Sequence, residues 1–212
     1  MRRNLAIAGA ILVLAIVAAG CGSGGSSPTS TATTTGAATT NTTSTQPAST
    51  SGAGALQAEA NAAAAGDIPD NQIFLVFHDP HAGYSMKYPE GWAQQGSAGR
   101  VTFRDKNNVI RAVVSNGPGW TKASVHSDVR ALKGARMQSA PQAIQLSGRP
   151  AFKVVYRTVS GPNPVTGKRV TLTVDRYYLS TRNRRAVLDL GSPVGVDNVD
   201  AYRMISQSFK WS

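Results

Sequence analysis

Two histidines and a carboxylate that lie close together in the chain could bind a metal ion. They belong to the segment His78-Asp79-Pro80-His81, and imidazole and carboxylate groups are ligands that Zn²⁺ accepts. The proline predicts a turn rather than a helix face, and no third strong ligand is near in the sequence. We therefore interpret the segment as a surface turn, and we expect neither a metal ion nor another cofactor.

Two further patterns that could support catalysis are incomplete. The segment Gly161 to Lys168 resembles a phosphate-binding loop, but five residues separate its glycines instead of four, and no Ser or Thr follows the lysine. His126 has Ser124 and Asp128 alongside it, yet helix neighbours at that spacing do not form a chain of nucleophile, base and orienting group. A G-x-S-x-G segment is absent from the sequence. We expect a protein that is not an enzyme.

Cations and aromatic rings are the remaining candidates for binding a ligand. Arg182, Arg184 and Arg185 surround a predicted turn, where three guanidinium groups would form an anion contact unless the turn is simply solvated. Six aromatic side chains line a candidate groove beside the predicted sheet, with packing in the core as the favoured alternative. They are Tyr84, Tyr88, Trp92, Tyr156, Tyr177 and Tyr178.

The start of the chain has the three-part pattern of a secretory signal. Arg2 and Arg3 precede an apolar run from Leu5 to Gly20, and small residues end the run. These 16 residues are fewer than the roughly 18 that a membrane-spanning helix requires. We therefore expect residues 1–20 to direct export rather than to span the membrane.

The single cysteine follows this run directly. Ala18-Ala19-Gly20-Cys21 resembles the bacterial lipobox, in which small residues precede a cysteine that is acylated and becomes the mature N-terminus. The motif prefers leucine at the position of Ala18. The resemblance implies a lipoprotein that carries palmitate or a similar acyl chain on Cys21 at the extracytoplasmic face of the cell membrane. An ordinary secretory signal or an uncleaved anchor is the alternative.

The composition after Cys21 divides the rest of the chain into two parts. Residues 22–66 are mostly Gly, Ser, Thr and Ala, which cannot bury enough apolar surface to offset the entropy of ordering. We predict a lipidated N-terminus and a disordered tether over residues 21–66, and a folded domain over residues 67–212.

The predicted domain is strongly basic. The chain has 22 basic and 11 acidic residues; without Arg2, Arg3 and Glu59, residues 67–212 keep 20 and 10, a net charge of +10. An exported domain of this charge meets anionic lipid headgroups, phosphate-bearing wall polymers and acidic glycans before it meets nucleic acid. General solubility is the alternative. We expect a monomer that does not bind nucleic acid.

Hydrophobic periodicity predicts seven strands and two helices in the domain. Arg176 falls on the apolar face of its strand, where it would form a bulge, reach the sheet edge, or pair with Asp175 or Asp189. Trp211 is predicted to be buried. The predicted strands are 73–77, 84–88, 101–104, 109–115, 150–158, 168–180 and 184–190, and the helices, capped by Ser124 and Asp197, are 124–137 and 197–208.

Three segments resemble PsbP-like proteins: Gly83–Trp92, Arg176–Leu179 and Ser208–Trp211. This group contains the extrinsic photosystem II protein, bacterial lipoprotein relatives and a Ran-binding protein of the same fold. The resemblance spans most of residues 70–212. It implies an α+β fold, namely an α/β/α sandwich with a central, mainly antiparallel sheet of six or seven strands and helices on both faces.

Members of this group act mainly as binding or assembly modules, and none of their functional residues matches a position here. The sequence therefore predicts a non-catalytic domain that binds an envelope protein or an anionic lipid or glycan. A carrier of a small apolar ligand and an envelope-modifying hydrolase or transferase are the alternatives.

Overall fold

A computed structural model of the protein describes residues 65–163 and 165–212. The predicted signal sequence, Cys21 and the tether up to residue 64 lie outside the described residues. Within the described ranges, no helix combines the length and the apolar composition needed to cross a bilayer.

The described residues form eleven strands and two helices. The strands are β1 (Phe74–Asp79), β2 (Tyr84–Pro89), β3 (Ala93–Ser97), β4 (Arg100–Asp105), β5 (Asn108–Asn116), β6 (Arg136–Met137), β7 (Gln142–Leu146), β8 (Arg149–Val159), β9 (Thr171–Ser180), β10 (Arg184–Pro193) and β11 (Lys210–Trp211). The helices are α1 (Lys122–Arg130) and α2 (Val199–Ser208).

Eight strands form one large antiparallel sheet in the order β3-β4-β5-β10-β9-β8-β6, with β7 also paired to β8. A second sheet has the order β1-β2-β11. The α+β class and the mainly antiparallel sheet are confirmed. The fold is more sheet-rich than the predicted sandwich, because the main sheet has eight strands, a second sheet adds three, and the described residues contain only two short helices.

One face of the large sheet packs against the small sheet and α2, and we call it the α2 face. Phe103, Ile110 and Leu188 are fully buried there and contact a layer that includes Tyr84 of β2 and Ile205 of α2. These side chains form the largest apolar cluster of the domain. Burial of each large apolar side chain contributes about 1.5–3 kcal/mol to the free energy of folding.

The opposite face, which we call the α1 face, is only partly covered. Val125 and Val129 of α1 pack on Val154 and Tyr178 of the sheet. The segment after the helix extends this cover over β8 and β9 through Leu132 and Ala135, which pack beside the buried Tyr156, Leu172 and Val174. The cover does not extend over β3, whose residues are all exposed, or over β4, whose Arg100 and Arg104 remain exposed.

Helix α1 is shorter than predicted. Its N-cap is Thr121, whose Oγ1 accepts from the Ser124 amide at 3.1 Å, while Ser124 Oγ accepts from the Thr121 amide at 2.9 Å. Ser124 is therefore the third residue of the helix and closes a capping box. The helix ends at Arg130 rather than at Met137, because Gly134 adopts a φ of 72° and Met137 then pairs with Tyr156 as part of β6.

The C-terminal helix begins at Val199, with Asn198 at the N-cap position instead of the predicted Asp197. Asp197 still takes part, because its Oδ1 accepts from the Val199 amide at 3.2 Å. Trp211 is half-buried rather than fully buried. Its ring packs edge-on against Phe209, with the ring centres 5.1 Å apart.

Candidate functional site

The three arginines predicted to form an anion contact do not form one cluster. Arg184 and Arg185 are consecutive residues of β10 and therefore point to opposite faces of the sheet. Arg184 Nη1 donates to the carbonyls of Ala82 and Gly83, each at 3.0 Å, and its Nη2 donates to the Ser212 carbonyl at 2.9 Å. This guanidinium group fastens the β1–β2 turn and the C-terminus to the sheet.

Arg185 points to the α1 face, where its guanidinium carbon lies 4.7 Å from the centre of the Trp120 ring. Its Nε donates to Ser115 Oγ at 3.4 Å. Arg182 is exposed in the turn before β10. The three residues thus occupy three different surroundings, and the sequence neighbours do not form a shared anion contact in space.

The predicted aromatic groove is divided by the sheet. Tyr84, Tyr88 and Trp92 belong to the core cluster of the α2 face, whereas Tyr156 and Tyr178 lie in the clusters of the α1 face. All except the half-buried Tyr88 are buried, as is Tyr177. Packing in the core, the favoured alternative, agrees with this placement.

The segment His78-Asp79-Pro80-His81 forms a turn whose carboxylate is occupied. Asp79 is buried and accepts from the amides of His81, Ala82 and Gly99 at 3.1, 2.9 and 2.8 Å. Burial acts to raise the pKa of Asp79, but the three N–H donors lower it by more. The net pKa of Asp79 therefore lies below its ordinary value. In the described part of the chain, no cluster of three or more His, Cys, Asp or Glu side chains could hold a metal ion.

A different set of arginines shares one open surface. Arg100 and Arg104 lie four residues apart on β4 and point to the α1 face, with Thr102 between them. Arg111 of β5 lies directly opposite Thr102. We call the surface formed by Arg100, Arg104 and Arg111 the arginine face.

The geometry of the strands brings these three cations close together. Diagonal neighbours on adjacent antiparallel strands are about 7–8 Å apart, so Arg111 lies near both Arg100 and Arg104. All three side chains are exposed. Within the described residues, none of them forms an ion pair or a side-chain hydrogen bond.

Most carboxylates of the domain lie elsewhere, and the one that adjoins the arginine face, Asp189 opposite Arg111 on the neighbouring β10, is engaged by Arg176. Asp128 and Asp189 pair with Arg176, and Asp175 pairs with Lys153. The Asp79 carboxylate accepts hydrogen bonds from backbone amides of its own turn and of Gly99. Asp105, at the end of β4, points away from the arginine face. Three more acidic residues line a hollow at the start of α2: Asp70, Asp197 and Asp200. The positive charge of the domain is therefore not evenly neutralised.

The sequence contains one signal for the arginine face. The predicted strands 101–104 and 109–115 are consecutive in the sequence and contain Arg104 and Arg111. In the structure, Lys106 and Asn107 form a two-residue loop, and Asp105 pairs with Asn108 on either side of it. This short loop sets the register of β4 and β5.

No family model and no curated protein matches this chain. Several solved structures are similar to it, all at low identity. One is a protein of Bacteroides thetaiotaomicron, with 14% identity and a TM-score of 0.44; the match covers 65% of this chain but only 48% of that chain.

The cyanobacterial PsbP (CyanoP) of Synechocystis sp. PCC 6803 has 18% identity over 69% of this chain and 98% of that chain, with a TM-score of 0.47. LpqN, involved in cell envelope biogenesis of Mycobacterium tuberculosis, has 15% identity over 66% of this chain and 91% of that chain, with a TM-score of 0.42. The Ran-binding protein Mog1p of Saccharomyces cerevisiae has 9% identity over 66% of this chain and 96% of that chain, with a TM-score of 0.39. A PsbP is thus among the structures similar to this chain, and PsbP-like proteins are the group that its sequence motifs resemble.

Proposed function

We propose that this protein is a lipid-anchored lipoprotein of the bacterial cell envelope whose folded domain is non-catalytic and binds an anionic envelope ligand on the arginine face. The observation that carries this proposal is the placement of Arg100, Arg104 and Arg111 on one exposed surface, where the adjoining carboxylate, Asp189, is buried and pairs with Arg176 instead. Cys21 is the proposed attachment site for the acyl chain.

The three cations of the arginine face repel one another. Like charges on neighbouring strand positions destabilise a sheet, and a bound anion would remove that cost. Each guanidinium group can donate two parallel hydrogen bonds to a phosphate or a carboxylate. The surface is also open, because α1 covers a different part of the sheet, and an open surface suits a polymer or a lipid surface better than a small enclosed molecule.

The proposed location follows from the sequence pattern around Cys21. A flexible segment of the length and composition of residues 22–66 would have a root-mean-square span of about 35–40 Å. That reach would let the domain sample both the membrane surface and the adjacent wall layer while its lipid stays in the bilayer.

Binding assays with matched variants test this proposal. We would measure the affinity of the full chain and of Arg100→Ser/Arg104→Ser/Arg111→Ser for anionic vesicles and for isolated anionic wall polymer, at two salt concentrations. Each cation near an anionic surface contributes roughly 1 kcal/mol, so the triple variant should lose about 3 kcal/mol of binding free energy. Because such attraction is screened over about 8–10 Å at physiological salt, the wild-type affinity should fall as salt rises.

The control has the same loss of charge at scattered exposed positions: Lys133→Ser/Arg149→Ser/Lys168→Ser. It should lose clearly less affinity than the arginine-face variant. Equal losses would show that binding depends on the overall charge and not on this surface. Absence of binding by the wild-type chain to either ligand would overturn the proposal and leave an envelope protein as the partner to seek.

A further inference from the structure

A second, mostly apolar surface lies at the C-terminal end of α1. It is a hollow of about 320 Å³ between the helix and the segment that follows β6. Its apolar lining comes from Val129, Met137, Ala140 and Pro141, and His126, Arg130, Gln138 and Ser139 complete it. We call it the Met137 hollow.

Both walls of the Met137 hollow are held by the large sheet. The amides of Gln138 and Ser139 donate to the Val155 carbonyl at 2.8 and 3.2 Å, and Ser139 Oγ accepts from the Val155 amide at 3.0 Å. On the helix side, Asp128 Oδ2 accepts from Arg176 Nη1 and from the Tyr178 hydroxyl, each at 2.8 Å. The hollow is therefore preformed, as small-molecule sites usually are.

The early end of α1 creates this hollow. If the helix continued to Met137, that side chain would lie on the helix itself; instead it projects from β6 toward the helix. Met137 is 42% exposed, and Val129 forms part of the apolar lining. A methionine in a concave surface adapts its shape readily to an apolar ligand.

The charged group at the rim is a cation that is not neutralised. Arg130 lines the hollow and, within the described residues, forms no ion pair. The carboxylate nearest to it along the helix, Asp128, is engaged by Arg176. An apolar hollow with an unpaired cation at its rim is complementary to a molecule with an apolar chain and an anionic head.

We propose that the Met137 hollow binds a small amphiphilic anion, with its alkyl or acyl chain against Val129, Met137 and Pro141 and its anionic head at Arg130. The volume is at the lower end of the roughly 300–1,000 Å³ typical of small-molecule sites, which limits the occupant to one short chain. This site is separate from the arginine face, and its occupation does not depend on the function proposed above.

The test uses the full chain with ¹³C-methyl-labelled methionine and two probes of equal chain length, octanoate and 1-octanol. The methyl signal of Met137, assigned by its loss in Met137→Leu, should shift and saturate with both probes. The signals of Met86, in the core, and of Met204, on α2, should stay in place. This signal reports on the hollow itself, so it distinguishes binding in the hollow from binding of the probes to the apolar N-terminal segment.

Three variants separate the chain and head contacts. Ala140→Phe, which fills the hollow from an exposed position, should abolish the Met137 shift with both probes while the Met86 signal shows an intact core. Arg130→Gln should weaken octanoate about tenfold, the effect of one charge-assisted hydrogen bond, and leave 1-octanol unchanged. Lys133→Gln, which removes an exposed cation outside the hollow, should change neither affinity.

Three results would overturn this inference. One is a wild-type Met137 signal that does not respond to octanoate. Another is a shift that persists in Ala140→Phe. The third is an equal loss of octanoate affinity in Arg130→Gln and Lys133→Gln. Loss of polymer binding in the arginine-face variant, with an unchanged octanoate response, would instead support two independent sites.

Discussion

Arg176 and Asp189 face each other across β9 and β10 and form a bidentate ion pair in the protein interior. The distances are 2.6 Å from Nε to Oδ1 and 2.9 Å from Nη2 to Oδ2. Arg176 is 5% exposed and Asp189 4%. Of the alternatives that the sequence left open for Arg176, the structure supports pairing with Asp189, while Asp175 binds Lys153 at 2.7 Å.

Breaking this pair should be costly. Arg176→Met leaves the Asp189 carboxylate buried without its partner and releases Asp128, so we expect the free energy of unfolding to fall by about 3–5 kcal/mol. Chemical denaturation measures the change. The double variant Arg176→Met/Asp189→Leu should recover most of the loss, because two apolar side chains replace the pair. A single variant within about 1 kcal/mol of the wild type would contradict the ion pair.

Asp79 should make the stability of the domain depend on acid pH. Burial acts to raise the pKa of this carboxyl, but the three amide donors outweigh it and leave the pKa below its ordinary value. Its stabilisation is therefore fully present above the unfolded pKa of about 3.9 and is lost as pH falls through the lower folded pKa. Asp79→Asn should cost about 1–3 kcal/mol at neutral pH and show a flatter stability profile below about pH 4. Parallel profiles for the two proteins would exclude this role.

Two buried tyrosines should respond in opposite ways to loss of the hydroxyl. In the described part of the chain, the fully buried Tyr84 hydroxyl has no hydrogen-bond partner, so Tyr84→Phe should raise the free energy of unfolding by about 1 kcal/mol. The Tyr202 hydroxyl donates to the Gly191 carbonyl and accepts from Ser192 Oγ, each at 2.8 Å. Tyr202→Phe should lower stability by about 1 kcal/mol, and the same sign for both variants in thermal denaturation would contradict this difference.

The proposed lipid anchor depends on one residue. Cys21→Ser removes the only thiol in the chain, so the variant should lose its acyl chain and move from the detergent phase to the aqueous phase in phase partitioning. Metabolic labelling with palmitate, with Ser23→Ala as the matched control, should show incorporation only where Cys21 is present. Equal membrane retention of Cys21→Ser would exclude the anchor.

The local pattern of apolar and polar residues was sufficient to predict many of the secondary-structure elements. Alternation of Tyr84, Met86 and Tyr88 with polar residues predicted β2, and the spacing of Val125 and Val129 predicted the buried side of α1. Both signals are local because side-chain direction repeats with the period of the element itself. The strands β3 and β7 were missed because most of their residues are polar or exposed, which leaves no such period.

The sequence alone determined the basic charge and the pattern around Cys21, and its resemblance to PsbP-like proteins implied the α+β class and the antiparallel sheet. The surfaces were decided only by tertiary structure. Arg182, Arg184 and Arg185 are neighbours in the chain but separate in space, because consecutive residues of a strand point to opposite faces. Arg100, Arg104 and Arg111 share a surface because Arg111 is in register with Thr102 and because α1 covers a different part of the sheet. The register of β4 and β5 follows from the short loop between them, whereas the coverage by α1 arises from packing between distant segments, and the period of a single segment contains neither.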